Sequence, residues 1–167
     1  MNPALLSRIR AGYQFLTRVA GSFQSPFLLL LRLYWGWSFF QTGKGKLFNH
    51  AQTAEFFASL HLPLPSLNAW MAATTECVGG LLLVAGLASR LTSLPLMATM
   101  VVAYLTADNE AVMAIFSEPD KFTSAAPFLF LLTTVIIFIF GPGAISLDHL
   151  LGKKWHAEPA QPLTPRG

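Results

Sequence analysis

An arginine and a glutamate stand inside otherwise apolar runs: Arg32 within FLLLLRLYWGWSFF and Glu76 within TECVGGLLLVAG. An ionisable side chain in a hydrophobic span costs at least ~2.5–3.5 kcal/mol, so it faces neighbouring helices and takes a partner. Two kinds of chemistry fit the pair. One is a buried ion pair that fixes helix register; the other is a part in proton or ligand handling. On antiparallel neighbouring helices the two residues differ in depth by roughly 9 Å at 1.5 Å per residue. An arginine reaching toward the middle closes much of that gap, so direct Arg32–Glu76 pairing is one expectation.

Around Glu76 the chain is thin. Gly79, Gly80, Ala85 and Gly86 put small residues on two faces of one helix, with Glu76, Gly80, Leu83 and Leu87 sharing one of them. Such faces let helices approach closely, which is a packing signal first and room for a flat ligand second. Cys77, the single cysteine, excludes an internal disulfide and a cysteine-cluster metal site, and beside Glu76 it reads as an unreactive filler thiol. His50, His61, His149 and His156 lack metal-ligand spacing, so no metal site is expected. Gly43-Lys44-Gly45-Lys46 lacks the spacing, the following Ser/Thr and the preceding strand of a phosphate loop. Its lysines instead mark the outer end of a helix. No nucleophile elbow, dinucleotide fingerprint or haem-attachment motif is visible.

These residues must be positioned by helices in lipid. The 167 residues are 53% hydrophobic and 11% charged, where a soluble domain carries about a quarter charged residues. The net charge of +3 rests on few charges in all and no basic run interleaves with aromatics, which excludes a nucleic-acid surface. Four apolar stretches predict four transmembrane helices: 26–42, 67–89, 91–107 and 125–140. Pro95 falls near the start of the third, Ser124 is placed to cap the fourth, and Gly141-Pro142-Gly143 stops it. Residues 3–24 alternate Leu5, Ile9, Leu16, Val19 and Phe23 with Arg8, Arg10, Gln14 and Arg18, the pattern of an interfacial amphipathic helix on the bilayer. A short outer helix is expected within 49–66, ended by Pro63 and Pro65, and ISLDHLLGKKW reads as an inner interfacial segment before a disordered proline-rich tail. The lysine and arginine balance, with Arg8, Arg10, Arg18, Arg90, Lys153, Lys154 and Arg166 on one side, puts both termini in the cytoplasm. The division is therefore 1–25 interfacial, 26–145 a four-helix transmembrane domain, and 146–167 interfacial segment and tail.

The ordered pattern resembles the DoxX family of small membrane proteins. Arg32, Gly36 and Phe39, then Gly43-x-x-Lys46-Leu47, then AEFFASLHLP resemble its opening; Glu76-Cys77-Val78-Gly79-Gly80-Leu81-Leu82-Leu83 and Gly86-Leu87-x-x-Arg90 resemble its second-helix signature. His61 departs from it, since the family often has glycine before this Leu-Pro. The resemblance covers about residues 28–145 and implies an all-α four-helix membrane bundle. The family is similar to the DoxD subunit of thiosulfate:quinone oxidoreductase, and some members associate with redox or thiol-stress proteins. By that similarity Arg32, Lys46, Glu76 and Arg90 are candidates for a quinone or anion site, and Gly36, Gly79, Gly80 and Gly86 for helix packing. The expectation is an inner-membrane, quinone-linked oxidoreductase subunit dependent on redox partner proteins and able to form homo-oligomers; the alternative is a non-enzymatic scaffold or a small-molecule or proton carrier.

Overall fold

The computed structural model describes residues Pro3–Trp155, with side-chain surroundings from Arg10 to Lys153; the expected tail lies outside them. The described chain is all-α: α1 (Pro3–Phe48), α2 (His50–Ser59), α3 (Pro65–Ala85), α4 (Ser89–Thr106), α5 (Asn109–Met113), α6 (Pro119–Ser124), α7 (Pro127–Phe140) and α8 (Leu147–Trp155). α3 is the one helix among them that is both long and apolar enough to cross a membrane; α7 is apolar but shorter.

The elements pack in pairs. α1 lies along α3, α4 along α7, and α2 packs against α3. Phe39, Leu83, Leu96, Met100 and Ile137 form the core where α1, α3, α4 and α7 meet, with Phe130 and Leu131 against it. Phe130 takes the edges of Trp35 and Phe39 at 4.9 and 4.6 Å between centroids, a T-shaped geometry that adds to simple burial. Two buried hydroxyls find partners on their own helices, Ser93 donating to Ser89 O at 2.8 Å and Thr134 to Leu131 O at 2.8 Å, while the buried Ser89 Oγ has none. Outside this core the bundle is apolar too, with Leu30, Trp70, Leu91, Leu105 and Ile139 at least half exposed.

Several boundaries differ from those read in the sequence. α1 is one continuous helix across the boundary expected near Pro26, which lies inside it and costs one hydrogen bond to the preceding turn without ending it. It also runs past Thr42, through Gly43 and Gly45, so Lys46 is helical. Pro65 opens α3 as its first residue, where a missing N–H is harmless. Pro95 sits inside α4, which begins at Ser89. Ser124 does not cap α7: its Oγ donates to Lys121 O at the end of α6, and α7 starts on Pro127.

Two turns use left-handed backbone. Gly86, at φ +68°, ends α3, with Gly86 N–H donating to Leu83 O and Leu87 N–H to Leu82 O at 3.0 Å each, the paired bonds of a Schellman turn. His61 has φ +58° at the end of α2. Glycine adopts that conformation without a Cβ penalty, which accounts in physical terms for the glycine that the resemblance led one to expect there.

Candidate functional site

The site is built on a close antiparallel crossing of α1 and α3. A Cβ on Gly80 would stand 2.5 Å from Gly36 O and 2.5 Å from Phe40 N, and one on Gly43 2.4 Å from Cys77 N. Gly36 lies similarly against Gly80 O and Val84, while Gly79 faces the side chain of Leu96 on α4. Backbone thus touches backbone at two levels, and this sets the register. One turn beyond Gly43 comes Lys46, and one turn before Gly80 comes Glu76.

Lys46 Nζ donates to Glu76 Oε1 in an ion pair. Glu76 is 1% exposed and its Oε2 has no hydrogen-bond partner, whereas the Lys46 side chain is 31% exposed. Direct Arg32–Glu76 pairing is therefore corrected. The glycine crossing brings Glu76 level with Lys46, fourteen residues beyond Arg32 on α1, or roughly 21 Å at 1.5 Å per residue. Counting depth from the ends of the apolar runs understated the separation because α1 runs on past Thr42.

A cavity of about 650 Å³ opens between α2, α3 and α4, with Lys46 and Glu76 in its wall. Phe56 and Phe57 of α2 with Leu60 just after it, Met71 and Ala72 of α3, and Met100 and Ala103 of α4 make the rest mostly apolar. α2 is held over α3 at one end: His50 packs on Trp70 at 4.7 Å between centroids with the rings tilted by 32°, and its Nε2 lies 3.1 Å from Ser66 O as donor. Sequence reasoning placed α2 on the outer surface without recognising it as a cavity wall; the adjacent Phe56 and Phe57 in a short helix were the available signal.

Arg32 and Arg90 sit elsewhere and do not line this cavity. Arg32, 1% exposed, donates from Nη2 to Ile145 O at 2.5 Å, while Nε and Nη1 have no partner. It packs under Gly86, where a Cβ would fall 1.7 Å from Nη1. The segment it holds is stitched to the α3–α4 turn: Asp148 carboxylate accepts from Ala88 N and Ser89 N at 2.6 and 2.8 Å, and Asp148 N donates to Gly86 O at 2.9 Å. Arg90 Nη2 reaches Ile139 O at 3.4 Å, near the end of α7. Among the described residues no group of three His, Cys, Asp or Glu side chains is arranged to hold a metal ion.

A helical chain with an apolar exterior and a buried ion pair on glycine-thinned helices defines a class of small helical membrane protein. The DoxX family model matches residues 27–109. The chain is 33% identical over 128 residues, 75% of this chain and 89% of the relative, to the Bacillus subtilis (strain 168) protein named "Putative oxidoreductase CatD". It belongs to the DoxX family. No solved structure matches it.

Proposed function

We propose that this chain is a quinone-associated redox subunit of the bacterial inner membrane that relies on partner proteins for its electrons. The observation that carries the reading is the apolar cavity of about 650 Å³ whose wall includes the Lys46–Glu76 pair. An apolar pocket with a few convergent polar groups is the usual form of a small-molecule site. Lys46 offers a donor to a ring carbonyl, and the unpartnered Glu76 Oε2 is an acceptor. A bound quinone would supply two-electron chemistry; this chain's residues would hold and orient its head. Support also comes from the relative whose name describes an oxidoreductase.

In this reading α1, α3, α4 and α7 are the four spans, with both termini cytoplasmic. The cluster around Arg32, Gly86 and Asp148 then marks the inner end of the bundle, and Lys46 the outer half. The test is the quinone content of protein purified from its own membranes in mild detergent, with Lys46→Ala beside it. Near-stoichiometric quinone that falls severalfold in Lys46→Ala supports the reading. Protein free of quinone, together with unchanged quinone reduction in membranes lacking the chain, would overturn it. One observation favours a scaffold instead: Glu76 already has Lys46, and a buried pair can hold α1–α3 register without a ligand. A scaffold keeps its partners, but no quinone, in the same experiment.

A further inference from the structure

Most polar groups in the wall of the cavity between α2, α3 and α4 are satisfied by the chain itself. Thr53, Thr99 and Thr106 each donate a hydroxyl proton to the carbonyl four residues back: Asn49 O at 3.0 Å, Pro95 O at 2.9 Å and Val102 O at 2.7 Å. Asn68 Nδ2 donates to Pro63 O at 2.5 Å. These donors are engaged by backbone and are not offered to a ligand. Among the described residues that line the cavity, Lys46 and Glu76 alone carry charge.

That pair has unlike needs. An ammonium has three N–H donors and no acceptor, whereas an ionised carboxylate only accepts. Lys46 directs one N–H to Glu76 Oε1 and is partly exposed, so it keeps protons for a second acceptor. Glu76 Oε2 has no partner, and its side chain is 1% exposed. Bulk water does little for an oxygen so placed, and a buried acceptor left unmet costs free energy that a donor recovers. A ligand that satisfies both groups must present an oxygen that accepts and a hydrogen that donates. Because Oε1 and Oε2 belong to one carboxylate, a single hydroxyl can do both, accepting from Nζ and donating to Oε2.

A quinone meets only half of that requirement. Its ring oxygens are carbonyls, which accept from Lys46 and bring no proton to Oε2. The reduced ring carries a phenolic O–H in the same places. The two forms are close in size and shape, so apolar walls such as Phe56, Phe57, Met71 and Met100 do not separate them, and discrimination falls to Glu76. A site that hydrogen-bonds a ligand hydroxyl rejects the analogue lacking it, because a buried polar group is then left unpaired. We infer that the Lys46–Glu76 end of the cavity selects the quinol over the quinone, with Glu76 Oε2 accepting the phenolic proton. The inference rests on the quinone-site reading above and gives it a direction. A tenfold preference for the quinol raises the two-electron midpoint of the bound couple by about 30 mV over the free couple, which makes the bound quinone the better electron acceptor.

The experiment is equilibrium binding to full-length protein in nanodiscs under anaerobic conditions, with three probes built on one decyl-substituted ring: the 1,4-quinol, the 1,4-quinone and the dimethyl ether of the quinol. The ether keeps both oxygens as acceptors and lacks the O–H. Wild type is expected to bind the quinol about tenfold or more tighter than either of the others, the scale of one hydrogen bond to a charged group. Glu76→Gln, whose amide donates as well as accepts, should bring quinol and quinone within about threefold of each other. The three-probe comparison on wild type stands even where Glu76→Gln does not fold. A wild-type quinol preference below threefold over either probe, or a full preference that persists in folded Glu76→Gln, overturns the inference and leaves the quinone site in place. If none of the three probes binds, the quinone-site reading falls as well.

Discussion

Replacing Gly80 by alanine tests whether the crossing that brings Lys46 to Glu76 depends on a missing side chain. The added Cβ would stand 2.5 Å from Gly36 O, 2.5 Å from Phe40 N and 3.0 Å from Phe39 Cβ, where ordinary contact begins at 3.4 Å. Two of the three atoms are backbone, so no change of rotamer relieves the clash. α1 and α3 must part by nearly an ångström, and overpacking of this kind costs about 1–3 kcal/mol. Two other glycines serve as controls. Gly79→Ala meets only the side-chain carbons of Leu96, at 3.0–3.1 Å, and Gly45→Ala meets nothing within 4 Å. Each also gains roughly 0.5–1 kcal/mol from removing a helical glycine. The expected order of thermal stability in detergent is Gly45→Ala above wild type, Gly79→Ala close to wild type, and Gly80→Ala several degrees below. Acylation of Lys46 by an amine reagent should be faster in Gly80→Ala, because the widened crossing loosens its pair with Glu76. If Gly80→Ala unfolds with Gly45→Ala and leaves Lys46 equally protected, backbone contact does not set this crossing.

The ion pair is asymmetric, so its two halves should respond differently. Lys46→Ala strands a carboxylate that is 1% exposed and should lower stability by about 3 kcal/mol or more; adding Glu76→Gln to it should recover most of the loss in the same thermal assay. Asp148→Ala removes both acceptors from Ala88 N and Ser89 N, a loss of about 1 kcal/mol by analogy with helix N-caps. Amide exchange at Ala88 and Ser89 should speed up while α7 is unchanged, and no local change would refute the assigned role. At His61, with φ +58°, His61→Val should cost about 1–2 kcal/mol and His61→Gly should be tolerated. Equal unfolding midpoints for the two variants would mean that the left-handed turn carries no strain.

The helices were legible because apolar runs dominate this chain. Gly141 ends α7 as expected, and the 49–66 segment yields a helix at His50–Ser59; Gly86, read as a packing residue inside the 67–89 span, instead ends α3. The continuity of α1 was not legible. Pro26, with several arginines on one side and an apolar run holding only Arg32 on the other, reads as a boundary, and nothing local says that the helix continues. Ser124 misled for a related reason: it follows a cap pattern but lies inside a separate short helix, α6. The site was half legible. Lys46 and Glu76 were both named from the sequence, yet their meeting was not foreseen. Depth along a span fixes which residues share a level only when both helix ends are known, and here register comes from the contacts of Gly36, Gly43 and Gly80.

That register divides the two buried charges between different tasks. Arg32 gives a guanidinium donor to the main chain at Ile145 and packs beneath Gly86, with Asp148 engaged on the same turn. Its position binds the segment after α7 to the α3–α4 turn, and the cavity does not reach it. Glu76 has a single charged partner, and that partner stands in the cavity wall and is partly exposed. A ligand that draws Lys46 away must leave Glu76 either compensated by the ligand or uncompensated in an apolar bundle, and the second state is costly. Occupancy of the cavity would therefore be coupled to the electrostatics of α3 through Lys46 and through the unpartnered Oε2 of Glu76. Ligand binding should accordingly be more sensitive to Lys46→Ala than to any change at Arg32 that preserves the fold.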